Sequence, residues 1–172
     1  AYDHTTTPKD VSDSAEYMIK HFLGETGIEE IVHNTQFHLN VVAARARGWG
    51  ASDTRFKQLT SVLASAATNM VSRRAFLSFY ERVIFSQQVP TSPFRDLRGV
   101  KGRLCQLSSA NSLQALMASG AIPLVLEGVR DIPGAPQGTY RDGGMIDYHF
   151  DLPLETAPGL ILYPHFAPML KP

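Results

Sequence analysis

The sequence lacks an excess of charge, a second cysteine and a long apolar run. Sixteen basic and sixteen acidic residues cancel, so charge gives no reason to expect nucleic acid or a strongly charged membrane patch. Cys105 is the only cysteine, which excludes an internal disulfide and is compatible with a reducing, cytoplasmic location. The longest apolar stretches, Ala121–Val129 and Gly159–Tyr163, are strand-sized and far from the roughly 20 residues that span a bilayer.

Several catalytic motifs are also missing. The chain has no glycine-rich phosphate loop, no dinucleotide fingerprint and no G-x-S-x-G element. Ser119 comes closest, but Met117 stands where the first glycine belongs. It also follows a predicted helix, whereas a nucleophilic serine of this kind precedes one, where the helix dipole favours an anion.

The length of 172 residues and the apolar content of 44% predict one ordinary folded domain, or a fragment of one. Residues 1–11 are predicted to form a polar tail. The beginning at Ala1 and the end at Pro172 lead us to expect a piece of a longer protein.

The first half of the chain predicts helices around one strand. A helix begins near Asp13 and ends at Gly24, and a second, short helix runs from Thr26 to about His33. The alternation from Phe37 to Ala44 predicts a buried strand. The apolar spacing from Ser52 to Phe85 predicts helices, within a helical insertion over residues 52–101. The apolar stripe of the first helix contains Ala15, Met18, Ile19, Phe22 and Leu23.

The second half predicts more strands. Leu104–Leu107 is a strand in which Cys105 is a small core side chain rather than a nucleophile. A helix follows, with Ser108 or Ser109 as its cap and Gly120 as its end. Leu124–Val129 and Leu160–Tyr163 predict two further strands, separated by a loop rich in proline and glycine over residues 131–138. The alternation of strands and helices favours an α/β fold.

The tripeptide Asp142-Gly143-Gly144 supports two interpretations. In one it is a plain tight turn, because aspartate bonds its own downstream amides and glycine tolerates a positive φ. In the other the turn holds the carboxylate of Asp142 for chemistry. A third hypothesis uses His149 with the nearby Asp142, Asp147 and Asp151 to bind a cation.

The surrounding sequence favours the catalytic interpretation. "ALMASGAIPLVL", then the proline- and glycine-rich loop, then "YRDGG" resembles the patatin-like phospholipase family. The matching residues are Ala118 to Pro123, then Tyr140, then Asp142-Gly143-Gly144. The earlier segment "FHLNVVAARARG" is also similar to a strand of that family. The resemblance covers roughly Ile19 to Tyr163 and is sharpest from Ala115 to Gly144.

The resemblance implies a three-layer α/β architecture with a central, mostly parallel sheet, incomplete in this chain. It also implies a Ser-Asp dyad that cleaves lipid or other carboxylic esters without a cofactor. Asp142 would be the dyad aspartate, and Gly143 and Gly144 would shape its turn. The serine and the oxyanion loop would lie in a missing N-terminal half of the same domain. The implied partners are that half, an ester substrate and a peripheral membrane contact, with no nucleic acid.

The sequence departs from the family pattern after the glycine pair. Tyr148 and Phe150 occupy places where the family has asparagine and proline, and Pro153 comes later. One alternative to a hydrolase is a non-catalytic α/β module that binds or scaffolds. The other is the metal-binding domain built around His149.

Overall fold

A computed structural model describes residues 7–47, 79–92, 94 and 102–147, and these form an α/β structure. The α/β class predicted from the sequence is therefore confirmed. The helices are α1 (Pro8–Leu23), α2 (Gly27–His33) and α3 (Ser112–Ser119). The strands are β1 (Asn40–Ala46), β2 (Tyr80–Ser86), β3 (Gly102–Gln106), β4 (Val129–Arg130) and β5 (Thr139–Asp142). Two 3₁₀ turns occupy Val89–Thr91 and Gly143–Met145.

The five strands form one sheet in the order β3-β2-β1-β5-β4. Strands β2 and β3 pair in parallel, and the other three pairings are antiparallel. Strands β2, β3 and β5 consequently run in one direction, and β1 and β4 in the other. The described sheet is thus mixed, whereas the resemblance implied a mostly parallel one.

Strand β1 lies at the centre of the sheet. Ala43 pairs with Val83 on one side and with Asp142 on the other, while Ala44 pairs with Arg82 and Arg141. Both alanines are fully buried. Because neighbouring residues on a strand point to opposite faces, both faces of the sheet are covered at this point.

The larger core lies on the face that carries Ala43. Helix α3 packs there through Ala115 and Ala118, which are fully buried. The sheet contributes apolar side chains from β1, β2, β3 and β5, and Cys105 is one of them, as predicted. Burial raises the pKa of the Cys105 thiol, which keeps it protonated at neutral pH. A smaller cluster on the opposite face contains Ala44, Ala46, Tyr80 and Ile146.

The helical prediction is wrong for residues 80–86, which form β2. Aromatic and β-branched residues at 76, 79, 80 and 83 fit a helical spacing, and this spacing led to the wrong prediction. The run Val83-Ile84-Phe85 is fully buried, as in a strand covered on both faces, where periodicity cannot separate strand from helix. The rest of the predicted insertion, apart from residues 79, 87–92 and 94, lies outside the described residues.

The prediction of a strand over Leu124–Val129 is also wrong for most of its length. Residues 122–126 form a turn in which Val125 and Leu126 donate their backbone N–H groups to the carbonyl of Ile122. Leu124 has a φ of 70°, which no strand residue adopts. Pairing begins only at Val129, and the predicted loop then joins β4 to β5.

Helix α1 begins earlier than predicted, so residues 8–11 belong to it and not to a tail. Thr7 and Asp10 form the capping box, in which the Thr7 N–H donates to Asp10 Oδ2 over 2.8 Å. Pro8 follows at a helix position that needs no N–H donor. On the predicted apolar stripe, Met18 and Phe22 are 62% and 89% exposed. The other three residues of the stripe, Ala15, Ile19 and Leu23, are half-buried.

Three further predictions fall outside the described residues: the structure of residues 1–6, the helices within 52–78 and the strand Leu160–Tyr163. Strand β3, helix α3 and helix α2 appear close to their predicted bounds. Among the described helices, none combines the length and the apolar character that crossing a membrane would require.

Tyr140 provides a test of this core through pH. Its ring is fully buried and its hydroxyl donates to the Pro136 carbonyl. Burial raises the pKa of Tyr140 to about 12. An unfolded tyrosine ionises near pH 10, so this group's contribution to stability is complete below that pH and is lost as the pH rises to about 12.

We predict that Tyr140→Phe lowers the free energy of unfolding at pH 7 by about 1 kcal/mol, since one hydrogen bond is lost. The variant should lose less stability than the wild type between pH 9 and pH 11. Urea unfolding followed by circular dichroism at each pH measures both effects. Parallel alkaline losses in the two proteins would contradict the assignment.

Candidate functional site

Asp142 ends β5 and begins the 3₁₀ turn Gly143–Met145. Its backbone N–H donates to the Ala121 carbonyl over 3.2 Å. Its Oδ1 accepts the N–H of Gly144 over 2.8 Å. Asp142 is half-buried, and these two bonds fix its carboxylate at the edge of the sheet where β2, β3 and β5 end.

Gly143 is required by its contact with β1. A Cβ atom at this position would lie 2.3 Å from the carbonyl oxygen of Val42. No real Cβ atom approaches a backbone oxygen so closely, and a strand carbonyl in the centre of a sheet cannot move away. The absence of a side chain thus lets the chain fold directly back onto β1 after Asp142.

Gly144 has a different role. A Cβ atom there would lie 3.2 Å from Asp142 Oδ1, which is tight but not prohibitive. The second glycine therefore leaves space beside the carboxylate and supplies the N–H group that orients it. The two adjacent glycines serve two separate contacts, one with β1 and one with Asp142.

The two segments that carry the sequence resemblance meet in the structure. Helix α3 ends at Ser119, and Ala121, which is 1% exposed, offers its carbonyl to the N–H of Asp142. Helix α3 also packs against β5 in the core. Ala121 therefore supports the backbone of Asp142 directly, although 20 residues lie between the two in sequence.

The far side of the turn is anchored by a buried ion pair. Arg82 on β2 donates through Nε and Nη2 to both carboxylate oxygens of Asp147. The side chains of Arg82 and Asp147 are 4% and 8% exposed. Asp147 also donates its backbone N–H to the Gly143 carbonyl over 3.0 Å. The pair therefore ties the exit of the turn to the sheet.

The hydroxyl groups of two other residues singled out from the sequence are bonded to backbone carbonyls. The hydroxyl of Tyr140 is engaged with the Pro136 carbonyl, and its ring belongs to the core. Ser119 Oγ donates to the Leu116 carbonyl over 3.0 Å, an intrahelical bond at the end of α3. Neither arrangement suits a nucleophile, in agreement with the prediction that Ser119 is not one.

The metal-binding hypothesis receives no support from the part of the chain that the structure describes. In residues 7–47, 79–92, 94 and 102–147, no three metal-ligating side chains come together. Asp147, which the hypothesis needs, is paired with Arg82. His149 and Asp151 lie outside the described residues, as do Tyr148, Phe150 and Pro153.

Sequence reasoning missed a second buried arginine near the site. Arg141 is 1% exposed and donates through Nη1 to the Leu126 carbonyl over 3.0 Å. Gly128 makes room for it, because a Cβ atom there would lie 2.4 Å from Thr139 Cγ2 and 3.0 Å from Arg141 Cζ. An arginine directly before an aspartate is typical of a surface position, so no local sequence pattern predicted this burial.

Comparison of the chain with protein-family models, with curated proteins and with solved structures finds no match.

We predict that Gly143→Ala destabilises the protein by more than about 2 kcal/mol, because its methyl group would collide with the Val42 carbonyl. Gly120→Ala is the matched control. A Cβ atom there meets nothing within 4 Å, and the backbone φ of −107° suits alanine. The control should change stability by no more than about 0.5 kcal/mol. Equal effects of the two changes in urea unfolding would refute the close contact.

Asp147→Asn should destabilise the protein by about 3 to 5 kcal/mol, because it removes the negative charge of the buried Arg82–Asp147 ion pair. Asp13→Asn serves as the control. It breaks the Lys9–Asp13 pair, whose side chains are 65% and 60% exposed, and such pairs contribute less than about 1 kcal/mol. Thermal and urea unfolding of both variants compare the pairs. A loss from Asp147→Asn no larger than that of the control would show that the buried pair does not anchor the turn.

Proposed function

We propose that this chain carries the aspartate half of a Ser-Asp dyad in a patatin-like acyl hydrolase that cleaves lipid or other carboxylic esters. The observation that carries the proposal is the fixed carboxylate of Asp142. The Gly144 N–H donates to this carboxylate, and the Ala121 carbonyl accepts the backbone N–H of Asp142. Ala121 and Gly144 belong to the two segments in which the resemblance is sharpest.

The hydrogen bonding of Asp142 suits a general base. Oδ1 accepts from Gly144, while Oδ2 accepts no hydrogen bond from any described residue. The bond to Oδ1 thus orients the carboxylate, and Oδ2 can accept the proton of the serine hydroxyl. A serine hydroxyl is a weak nucleophile until a positioned base takes its proton.

The proposed reaction has two balanced steps. Asp142 takes the serine proton as the serine oxygen attacks the ester carbonyl. The alcohol then leaves with that proton, and an acyl-serine remains. Water loses a proton to Asp142, attacks the acyl group and releases the acid, and the proton returns to the serine oxygen. The serine comes from sequence outside residues 1–172, since the chain has no G-x-S-x-G motif.

A non-catalytic module is the second candidate, and one observation favours it. The bond from Gly144 N–H to Asp142 Oδ1 is also what an aspartate makes in an ordinary turn, two residues ahead of its acceptor. In this alternative the carboxylate stabilises the turn and does nothing else. A single substitution distinguishes the two functions.

We predict that Asp142→Asn, in the protein completed with its serine-bearing half, lowers kcat by on the order of 10² to 10⁴. KM should change little, because the substrate is held elsewhere. The fold should survive, since the asparagine oxygen can still accept from Gly144. Ester hydrolysis and thermal unfolding are measured on the same preparation.

Gly144→Ala is a useful companion variant because it disturbs the carboxylate without removing it. Its methyl group would press on Oδ1 from 3.2 Å, so activity should fall while the charge stays in place. Near-normal turnover by Asp142→Asn with only a shift in melting temperature would show that the turn is structural. The dyad proposal would then be abandoned.

A further inference from the structure

A second polar cluster lies on the sheet away from the Asp142 turn. Glu81 on β2 forms ion pairs with three arginines. Arg45 Nη1 lies 2.6 Å from Glu81 Oε2, and Arg47 Nη2 lies 3.3 Å from the same oxygen. Arg103 Nε lies 3.5 Å from Oε1.

The cluster joins three neighbouring strands on one face of the sheet. Arg45 pairs directly with Glu81 and with Tyr140 in register, and Arg103 comes from β3. The exposed fraction of the side chains rises outward from 11% for Glu81 and 25% for Arg45 to 51% for Arg47 and 58% for Arg103. The carboxylate is therefore covered, and two of the guanidinium groups face solvent.

The charges of this cluster do not balance. Burial disfavours the charged form of Glu81, but hydrogen bonds and charges from Arg45 and Arg47 outweigh it and lower the pKa of the carboxyl. Glu81 is therefore anionic at neutral pH. Three guanidinium groups against one carboxylate leave an excess of two positive charges.

The three arginines are not equally occupied. Arg45 also donates through Nε and Nη2 to the Gln137 carbonyl, at 2.9 and 2.6 Å, so its fork is engaged on two sides. Among the described residues, the side chains of Arg47 and Arg103 make no polar contact other than the long ones to Glu81. Each guanidinium has five N–H donors in a planar fork. Most donors of Arg47 and Arg103 are therefore available to a further acceptor.

We propose that Arg47 and Arg103, oriented by Glu81, form a binding site for a phosphate group, either free or in an exposed lipid headgroup. A phosphate dianion would neutralise the excess charge, and its oxygens match the geometry of the guanidinium fork. The site requires nothing of Asp142. The phosphate site can therefore be tested independently of the proposed hydrolase activity.

The test uses the 172-residue chain and inorganic phosphate. Phosphate is titrated against sodium chloride at constant ionic strength and pH 7.5, while the Nε–Hε NMR signals of the arginines and the melting temperature are recorded. We expect saturable shifts of the Arg47 and Arg103 signals with phosphate only. Arg47→Gln combined with Arg103→Gln should weaken binding by about tenfold or more, since it removes the charge-assisted hydrogen bonds to the phosphate oxygens.

The control removes the same charge elsewhere. Lys9→Gln combined with Lys20→Gln deletes two exposed cations of α1, each paired with an acidic residue one turn away. This variant should bind phosphate as the wild type does. The arginine variant should remain folded because Arg45 still pairs with Glu81 over 2.6 Å. Replacing Arg47 and Arg103 by lysine keeps the charge, loses the fork and should give an intermediate affinity.

Vesicles identify the source of the phosphate group. Phosphatidylcholine vesicles with and without phosphatidic acid are sedimented with each variant. Sedimentation that requires phosphatidic acid and is lost in the arginine-to-glutamine variant assigns the site to a headgroup. Phosphate binding without sedimentation assigns it to a free phosphate. The proposal would be overturned if chloride shifted the arginine signals as much as phosphate does. It would also be overturned if Lys9→Gln combined with Lys20→Gln weakened phosphate binding as much as the arginine-to-glutamine variant does.

Discussion

The approach of Gly143 to the Val42 carbonyl is the contact on which the arrangement around Asp142 depends. Because no side chain intervenes, the chain can end β5 and turn across the centre of the sheet within one residue. Asp142 is thereby placed between the Ala121 carbonyl and the Gly144 N–H. The Arg82–Asp147 pair then fixes the end of the same turn. Backbone contacts and one buried ion pair therefore position the carboxylate.

The sequence predicted the parts of the fold that depend on local chemistry. The glycine pair marked the turn, Gly120 marked the end of α3, and the short apolar run around Cys105 marked β3. The errors arose where local pattern was ambiguous. In β2 the doubly buried run Val83–Phe85 carries no alternation of polarity, so an accidental helical spacing prevailed. At Leu124 a positive φ in a residue other than glycine has no signature in composition.

The candidate site was predicted only in part, for a related reason. Asp142 and both glycines lie together as the tripeptide requires, and the Ala121 segment meets them. The Arg82–Asp147 pair joins residues 65 positions apart, and neither side chain differs in sequence context from a solvated surface charge. Gly128 was also missed, because the reason for its small size is its contact with Thr139 and with the guanidinium group of Arg141, which both lie on β5. A single sequence does not show which distant residues will pair their charges or share the same space in the fold.

The fit between Gly128 and Arg141 has a consequence for how this protein can diverge. Any side chain at position 128 would meet Thr139 and the guanidinium group of Arg141, so a larger residue there is accepted only if its neighbours shrink or withdraw. The reverse order of events is easier: shorter residues at 139 and 141 first open space that position 128 can later fill. The order of substitutions is therefore constrained, and the three positions should change together in descendants of this sequence. Such coupling would leave the hairpin of β4 and β5 recognisable even after the residues themselves have been replaced.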